Sequence, residues 1–384
     1  MSESDEVLGE PLDEYSLSIL HELRTVDRPT LASPVSEGED NVYVKYDLPK
    51  WREQGIRGEI WEDLKSGLLE AAVAAAGGAR EAESCSSDDF EGVRRWETRN
   101  VPGVVEGAME AWKGYGSGRW TMEGFCRAFP DINFRFSDTH GAMVTFATYY
   151  SYATSPLLGL ADDSPLAVYD SEFGDDDSTS CLLDDYEVPA CFGEDLFLLA
   201  EGTRPPSRWI LIGSERSGTG PHIDPLWTNA WVSLMSGKKL WCLFPQGTPG
   251  NLVGVEDGKP RMSSSVWFKN IFPSCMSPEF PSSWSPTVVV QSPGQTVFVP
   301  NGWYHVVLNL EPSVAVTHNY ASEHGPFERM WEEVRDVEPD FAARWRDGIR
   351  RERQHLEDRI LRFEELDRQT AGEGGAATAQ DAAA

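Results

Sequence analysis

The sequence predicts a mainly β protein, a sandwich or barrel flanked by helices on both sides. Three observations predict it. Between about residues 93 and 322, short apolar runs alternate with Gly, Pro and Asn turns. On either side of that region, apolar residues recur at helical spacing. The two extremes are polar or rich in small residues.

Taken in order, residues 1–40 are rich in Ser, Asp, Glu and Pro, and read as an acidic disordered arm. An apolar patch from Tyr15 to Leu23 inside it reads as a docking helix. Residues 41–160 read as flanking helices and strands. Ile60, Leu64 and Leu68 lie four apart, as on one face of a helix over 58–76 that Gly77-Gly78 ends. The Ser/Asp/Glu-rich stretch 82–91 reads as a loop. A strand is expected at Val101 to Val105 and a short helix from Trp120 to Phe129.

Residues 161–325 form the predicted β core. Its strands are expected around 209–212, 239–244, 288–290, 296–299, 304–310 and 314–317, with a turn before Lys238 and another at Glu311-Pro312-Ser313. The acidic run Gly174 to Asp177 reads as a surface insertion. Residues 326–369 turn helical: Phe327, Met330, Trp331 and Val334 share one face, and Pro339 opens a new element. Phe341, Trp345 and Ile349, then Leu356, Ile360 and Phe363, continue the stripe, which suits core packing or a homodimer contact. Residues 370–384 read as a disordered tail.

Charge and composition narrow the function. With 63 acidic and 33 basic residues the formal charge is −30. No concentrated basic patch offers counterion release, so direct binding to nucleic acid is disfavoured. A negative surface instead speeds encounter with basic peptides. No window approaches the roughly 20 apolar residues that cross a bilayer, and the N-terminus lacks a secretory pattern. A nuclear or cytoplasmic protein is expected. None of the six cysteines pair at C-x2-C spacing, which gives no sign of a zinc ribbon, and reduced thiols are the default.

The chemistry rests on few residues. In Gly218-Thr219-Gly220-Pro221-His222-Ile223-Asp224-Pro225, an extended backbone aims His222 and Asp224 at one point. An isolated H-x-D is a weak signal, and a third ligand must come from elsewhere. His305, after the turn Pro300-Asn301-Gly302, is the best candidate. Two His and one carboxylate on one side of a metal form the facial triad of non-haem iron(II) oxygenases. Lys238 and Lys239 face opposite ways on a strand, so at most one points inward, and an inward lysine needs an anion. Thr317 can add a hydroxyl to the same anion.

These stretches resemble the Jumonji-C oxygenases, most closely the branch once called the phosphatidylserine receptor, described as lysyl hydroxylase and arginine demethylase. The matching segments are SGTGPHIDPLWTNAWVSLMSGKKLWCLFP, PGQTVFVPNGWYHVVLNLEPSVAVTHNYAS, DDSPLAVYDSEFG, DDYEVP and RPPSRW. The likeness spans about residues 100–325 and leaves the ends uncovered. It implies a double-stranded β-helix, a cupin-like jelly roll. It implies iron(II) held by His222, Asp224 and His305, with dioxygen as co-reactant. Lys239, rather than Lys238, would bind the far carboxylate of 2-oxoglutarate with help from Thr317, while Thr219 would line the pocket.

Two positions depart from the branch: Val232 stands where it carries an Asn, and Ala167 where it carries a tyrosine, with Tyr169 two residues on. The expected activity is hydroxylation of a protein side chain, lysyl favoured, with release of succinate and CO2. N-methyl demethylation of histone or arginine is the nearer alternative. A catalytically weak interaction module, or a cupin isomerase with another metal, are the readings from other classes.

Overall fold

The computed structural model describes residues 12–27, 48–76, 81–136, 143–260 and 262–381. Strands follow in chain order as β1 (Glu83–Ser86), β2 (Gly103–Glu106), β3 (Asn133–Arg135), β4 (Met143–Thr145), β5 (Ala167–Asp170) and β6 (Arg208–Gly213). Then come β7 (Gly218–His222), β8 (Asn229–Phe244), β9 (Val255–Glu256), β10 (Lys259–Pro260), β11 (Thr287–Gln291), β12 (Thr296–Val299) and β13 (Tyr304–Tyr320). Nine of them pair in the order β1-β2-β12-β8-β13-β6-β5, with β11 also on β8 and β7 also on β13.

The long pair β8 and β13 organises the molecule. The two run antiparallel throughout, Tyr304 opposite Phe244 and Tyr320 opposite Asn229. Their register shifts between Asn309 and Ala315, and an irregularity of this kind bends a ribbon. On one side of the bend, β12 pairs with residues 230–233 and β6 with residues 313–318. On the other, β11 pairs with residues 239–243 and β7 with residues 305–308. A single bent ribbon thus supplies strands to both sheets of a jelly roll, which is the architecture the resemblance implies.

Here the sequence misleads in detail. The turns expected before Lys238 and at Glu311 to Ser313 are the two halves of that bend, and neither breaks its strand. Gly237 has φ +88, and a Cβ there would lie 2.2 Å from the Pro312 carbonyl oxygen. Lys238 and Glu311 close the outside of the bend with a 2.9 Å ion pair. Turn residues mark a bend whether or not pairing continues across it, and only the partner strand decides which. The expected loop at 82–91 likewise contains β1, which pairs in parallel with β2 at the sheet edge.

Alternation sorts the core. Leu240, Cys242, Phe244, Val306 and Leu308 point out of the sandwich, onto the helices Gly58–Ala76 and Ser264–Asn270. Trp241, Leu243, Val307 and Val299 point inward, into the layer between the sheets. A third, aromatic cluster built on Trp96, Trp120, Phe125, Phe146 and Trp231 fills the space under the helices of the N-terminal half.

The helix Glu14–Asp27 covers the docking helix expected from Tyr15 to Leu23, and it departs only from the reading of residues 1–40 as otherwise disordered. Leu17, Leu20 and Leu23 are buried in the aromatic cluster, and the buried Arg24 pairs with Asp162. The rest of that arm lies outside the described residues. At the other end, the helices Phe327–Val337, Pro339–Glu352 and Gln354–Asp381 bury the predicted stripe, with Phe363 only half-buried at its edge, against one another and against Leu196, Phe197 and Leu199. The last helix runs through most of the expected 370–384 tail. No helix among the described residues is long and apolar enough to cross a membrane.

Candidate metal centre

Six of the side chains singled out by the sequence face one cavity, and Lys238 does not. The cavity lies between the sheets, measures about 210 Å³, and is lined by His222, Asp224, His305, Lys239, Thr317 and Thr219 among others. The lining is set by alternation: His305, Val307 and Asn309 from β13 before its bend, Thr317 and Asn319 after it, and Lys239 and Trp241 from β8.

His222 ends β7, and Asp224 follows in extended backbone (φ −59, ψ 145). His305 enters opposite His222 in the β7–β13 pairing. The two imidazoles approach to 4.0 Å between centroids. Asp224 Oδ1 lies 3.9 Å from His222 Nε2 and 3.8 Å from His305 Nε2. One ligand atom from each residue falls within 4.8 Å of the others, so a small contraction brings all three around a divalent ion.

The hydrogen bonds leave the right atoms free. The His222 Nδ1–H donates to the Gly220 carbonyl at 2.8 Å, and the His305 Nδ1–H donates to the Trp303 carbonyl at 3.1 Å. A carbonyl only accepts, so each ring presents its Nε2 lone pair to the cavity. Burial, then the neighbouring His305, pulls the His222 pKa down to about 4, and burial does the same for His305. Both rings are therefore neutral at pH 7, as a ligand must be. Asp224 Oδ2 is buried and has no hydrogen-bond partner among the described residues. An orphaned carboxylate oxygen beside two free imidazole nitrogens fits a bound cation.

Lys239 settles the question of parity. Its side chain is buried and donates to Asn309 Oδ1 at 2.7 Å, whereas Lys238 points outward to Glu311. Burial lowers the Lys239 pKa to about 7, with no carboxylate among the described residues opposing it. Asn309 in turn donates to Ser217 Oγ at 2.8 Å, and Ser217 donates to the Ser214 carbonyl. The lysine is thus held by a neutral acceptor, and its charge is left for an anionic ligand. Thr317 and Val232 sit opposite each other across the β8–β13 pairing, and both line the cavity. Ala167 lines it too. Tyr169, facing the same way, hydrogen-bonds Thr219 between hydroxyls at 3.0 Å.

Asn309 and Asn319 were not singled out from the sequence. Counting by twos from His305 and from Thr317 reaches both, and that was the available signal. Trp209, another lining residue, had none.

The comparisons with known proteins identify the family. Residues 209–320 match the family model described as "JmjC domain, hydroxylase". The chain is 36% identical over 278 residues to the Caenorhabditis elegans bifunctional arginine demethylase and lysyl-hydroxylase psr-1, covering 71% of this chain and 68% of the relative. The chain belongs to the JmjC family. The corresponding protein of Caenorhabditis briggsae is 37% identical over 265 residues, 68% of this chain and 65% of its own length. A shorter match, 30% over 115 residues, joins the JmjC chain to the Gallus gallus 2-oxoglutarate and iron-dependent oxygenase JMJD4, covering 30% of this chain and 26% of that one. JmjC oxygenases work with iron(II), 2-oxoglutarate and dioxygen. The triad and the buried Lys239 fit the first two.

Proposed function

We propose that this chain is a protein hydroxylase in which His222, Asp224 and His305 hold iron(II), and Lys239 with Thr317 holds the far carboxylate of 2-oxoglutarate. The observation that carries this is a complete two-His, one-carboxylate triad sharing a cavity with a buried lysine whose partner among the described residues is a neutral amide. When bound, the metal and cosubstrate supply an oxidant for an unactivated C–H bond, and 2-oxoglutarate leaves as succinate and CO2. The chain's own part would be to hold the metal through His222, Asp224 and His305, to orient the cosubstrate through Lys239, and to keep both imidazoles neutral.

A basic peptide is the substrate class, with lysyl side chains favoured. The formal charge of −30 supports it, as do the relatives named for action on arginine and lysine. Demethylation uses the same chemistry on an N-methyl carbon, which then leaves as formaldehyde. The intact triad argues against a module without turnover.

The test couples succinate formation to a library of Lys- and Arg-rich peptides read by mass spectrometry. Gain of one oxygen on lysine is expected, whereas loss of a methylene with formaldehyde release would make the chain a demethylase. Lys239→Ala should retain metal and lose 2-oxoglutarate binding by at least about tenfold. Unchanged cosubstrate affinity in that variant would overturn the assignment of Lys239.

A further inference from the structure

The chain immediately after Asp224 adopts a conformation that L residues avoid. Leu226 and Trp227 are consecutive non-glycine residues at φ +57 and +52. Such a turn persists only where its surroundings over-determine it. Here they do. The Trp227 carbonyl accepts from Asn301 Nδ2 at 2.8 Å, and the Asn301 N–H donates to Asn229 Oδ1 at 3.0 Å. The indole ring rests on Gly302, where an added Cβ would fall 2.8 Å from Trp227 Cζ3. The Arg329 guanidinium of the helix Phe327–Val337 lies 5.3 Å over the same ring. Leu226 is buried with Phe327 and Met330 beneath that helix.

Asn301 and Gly302 belong to the turn that delivers His305, three residues on. The indole therefore joins the turn carrying one expected ligand to the turn carrying another, and the C-terminal helical layer presses on the joint. Side chains that fix first-contact ligands commonly govern metal affinity.

We propose that Trp227 is a positioning residue for the metal centre, bracketing the Asp224 turn to the His305 turn through Asn301, Gly302 and Arg329. This rests on the reading of His222, Asp224 and His305 as metal ligands. Glycine at 227 accepts φ +52 without strain, so Trp227→Gly removes the ring's contacts with Gly302 and Arg329 while relaxing the backbone. The main-chain carbonyl still accepts from Asn301, and Asn301→Ala removes that arm separately.

Titrating the full-length protein with cobalt(II), followed by its visible absorption, tests the proposal. Trp227→Gly and Asn301→Ala should weaken cobalt binding by about tenfold or more, in the range known for outer supports of metal ligands. Trp227→Phe, which keeps a ring on Gly302 and under Arg329, should recover most of the affinity. Affinity within about twofold of wild type in both Trp227→Gly and Asn301→Ala would overturn the proposal, as would a Phe variant no better than Gly. Should Trp227→Gly fail to fold by circular dichroism, Arg329→Met serves as the second variant, with a loss of about threefold expected and no loss counting against it. An Asp224→Ala variant that binds cobalt as tightly as wild type would instead sink the ligand assignment underneath.

Discussion

At Glu97 the fold buries a carboxyl that accepts a 2.7 Å hydrogen bond from the Tyr320 hydroxyl. Burial outweighs that bond and raises its pKa from 4.5 to about 7. The folded chain therefore holds a proton that the unfolded chain has already lost between pH 4.5 and 7. Stability from this group is fully present below pH 4.5 and is lost as pH rises through 7, on the order of 3 kcal/mol in all. Urea unfolding of wild type and Glu97→Gln across pH 4.5–8 checks it: the wild type should weaken relative to the variant as pH rises. A constant difference would show that Glu97 ionises normally. Lys238 and Lys239 make the same point about environment. Adjacent and chemically identical, one sits in an exposed pair of little energetic weight and the other is buried against Asn309.

Among the elements, the bend in the β8–β13 ribbon does most to build the site. It carries Lys239 and Thr317 into one cavity from opposite sides of Gly237 and Pro312. Gly237→Ala would combine a positive φ with a Cβ driven into the Pro312 carbonyl. We expect a loss of roughly 2–5 kcal/mol, measured by chemical denaturation. Because Lys239 is two residues away, weakened 2-oxoglutarate binding in calorimetry should accompany it. A stable variant with wild-type cosubstrate affinity would show that the bend has slack. The helix Glu14–Asp27 shows a different element-scale effect: its Arg24 is buried against Asp162, itself hydrogen-bonded by the Tyr152 hydroxyl. A short apolar patch in an acidic stretch hinted at a helix but could not show where it docks.

Over the whole molecule, the excess of acidic residues makes encounter with the proposed basic substrate sensitive to salt. Raising ionic strength from about 0.01 M to 0.15 M shortens the screening length from about 30 Å to about 8 Å. The kcat/KM for a Lys/Arg-rich peptide should fall several-fold over that range, while that for a neutral analogue of the same peptide should hardly change. Equal salt sensitivity for both would leave net charge with no role beyond solubility.

The amino-acid sequence by itself determined the period-2 strands, the face shared by His222 and Asp224, the third candidate ligand at the start of a strand and the helical C-terminal stripe. Each is set within a few residues by backbone geometry and side-chain alternation. Tertiary structure alone decided that two apparent turns are one continuous bend and which lysine is buried. It also placed Asn309 and Trp227 as supports of the site and packed the helix Glu14–Asp27 into the core. These depend on partners tens to hundreds of residues away, and a local pattern of turn and apolar residues carries no record of which distant strand or helix will lie against it.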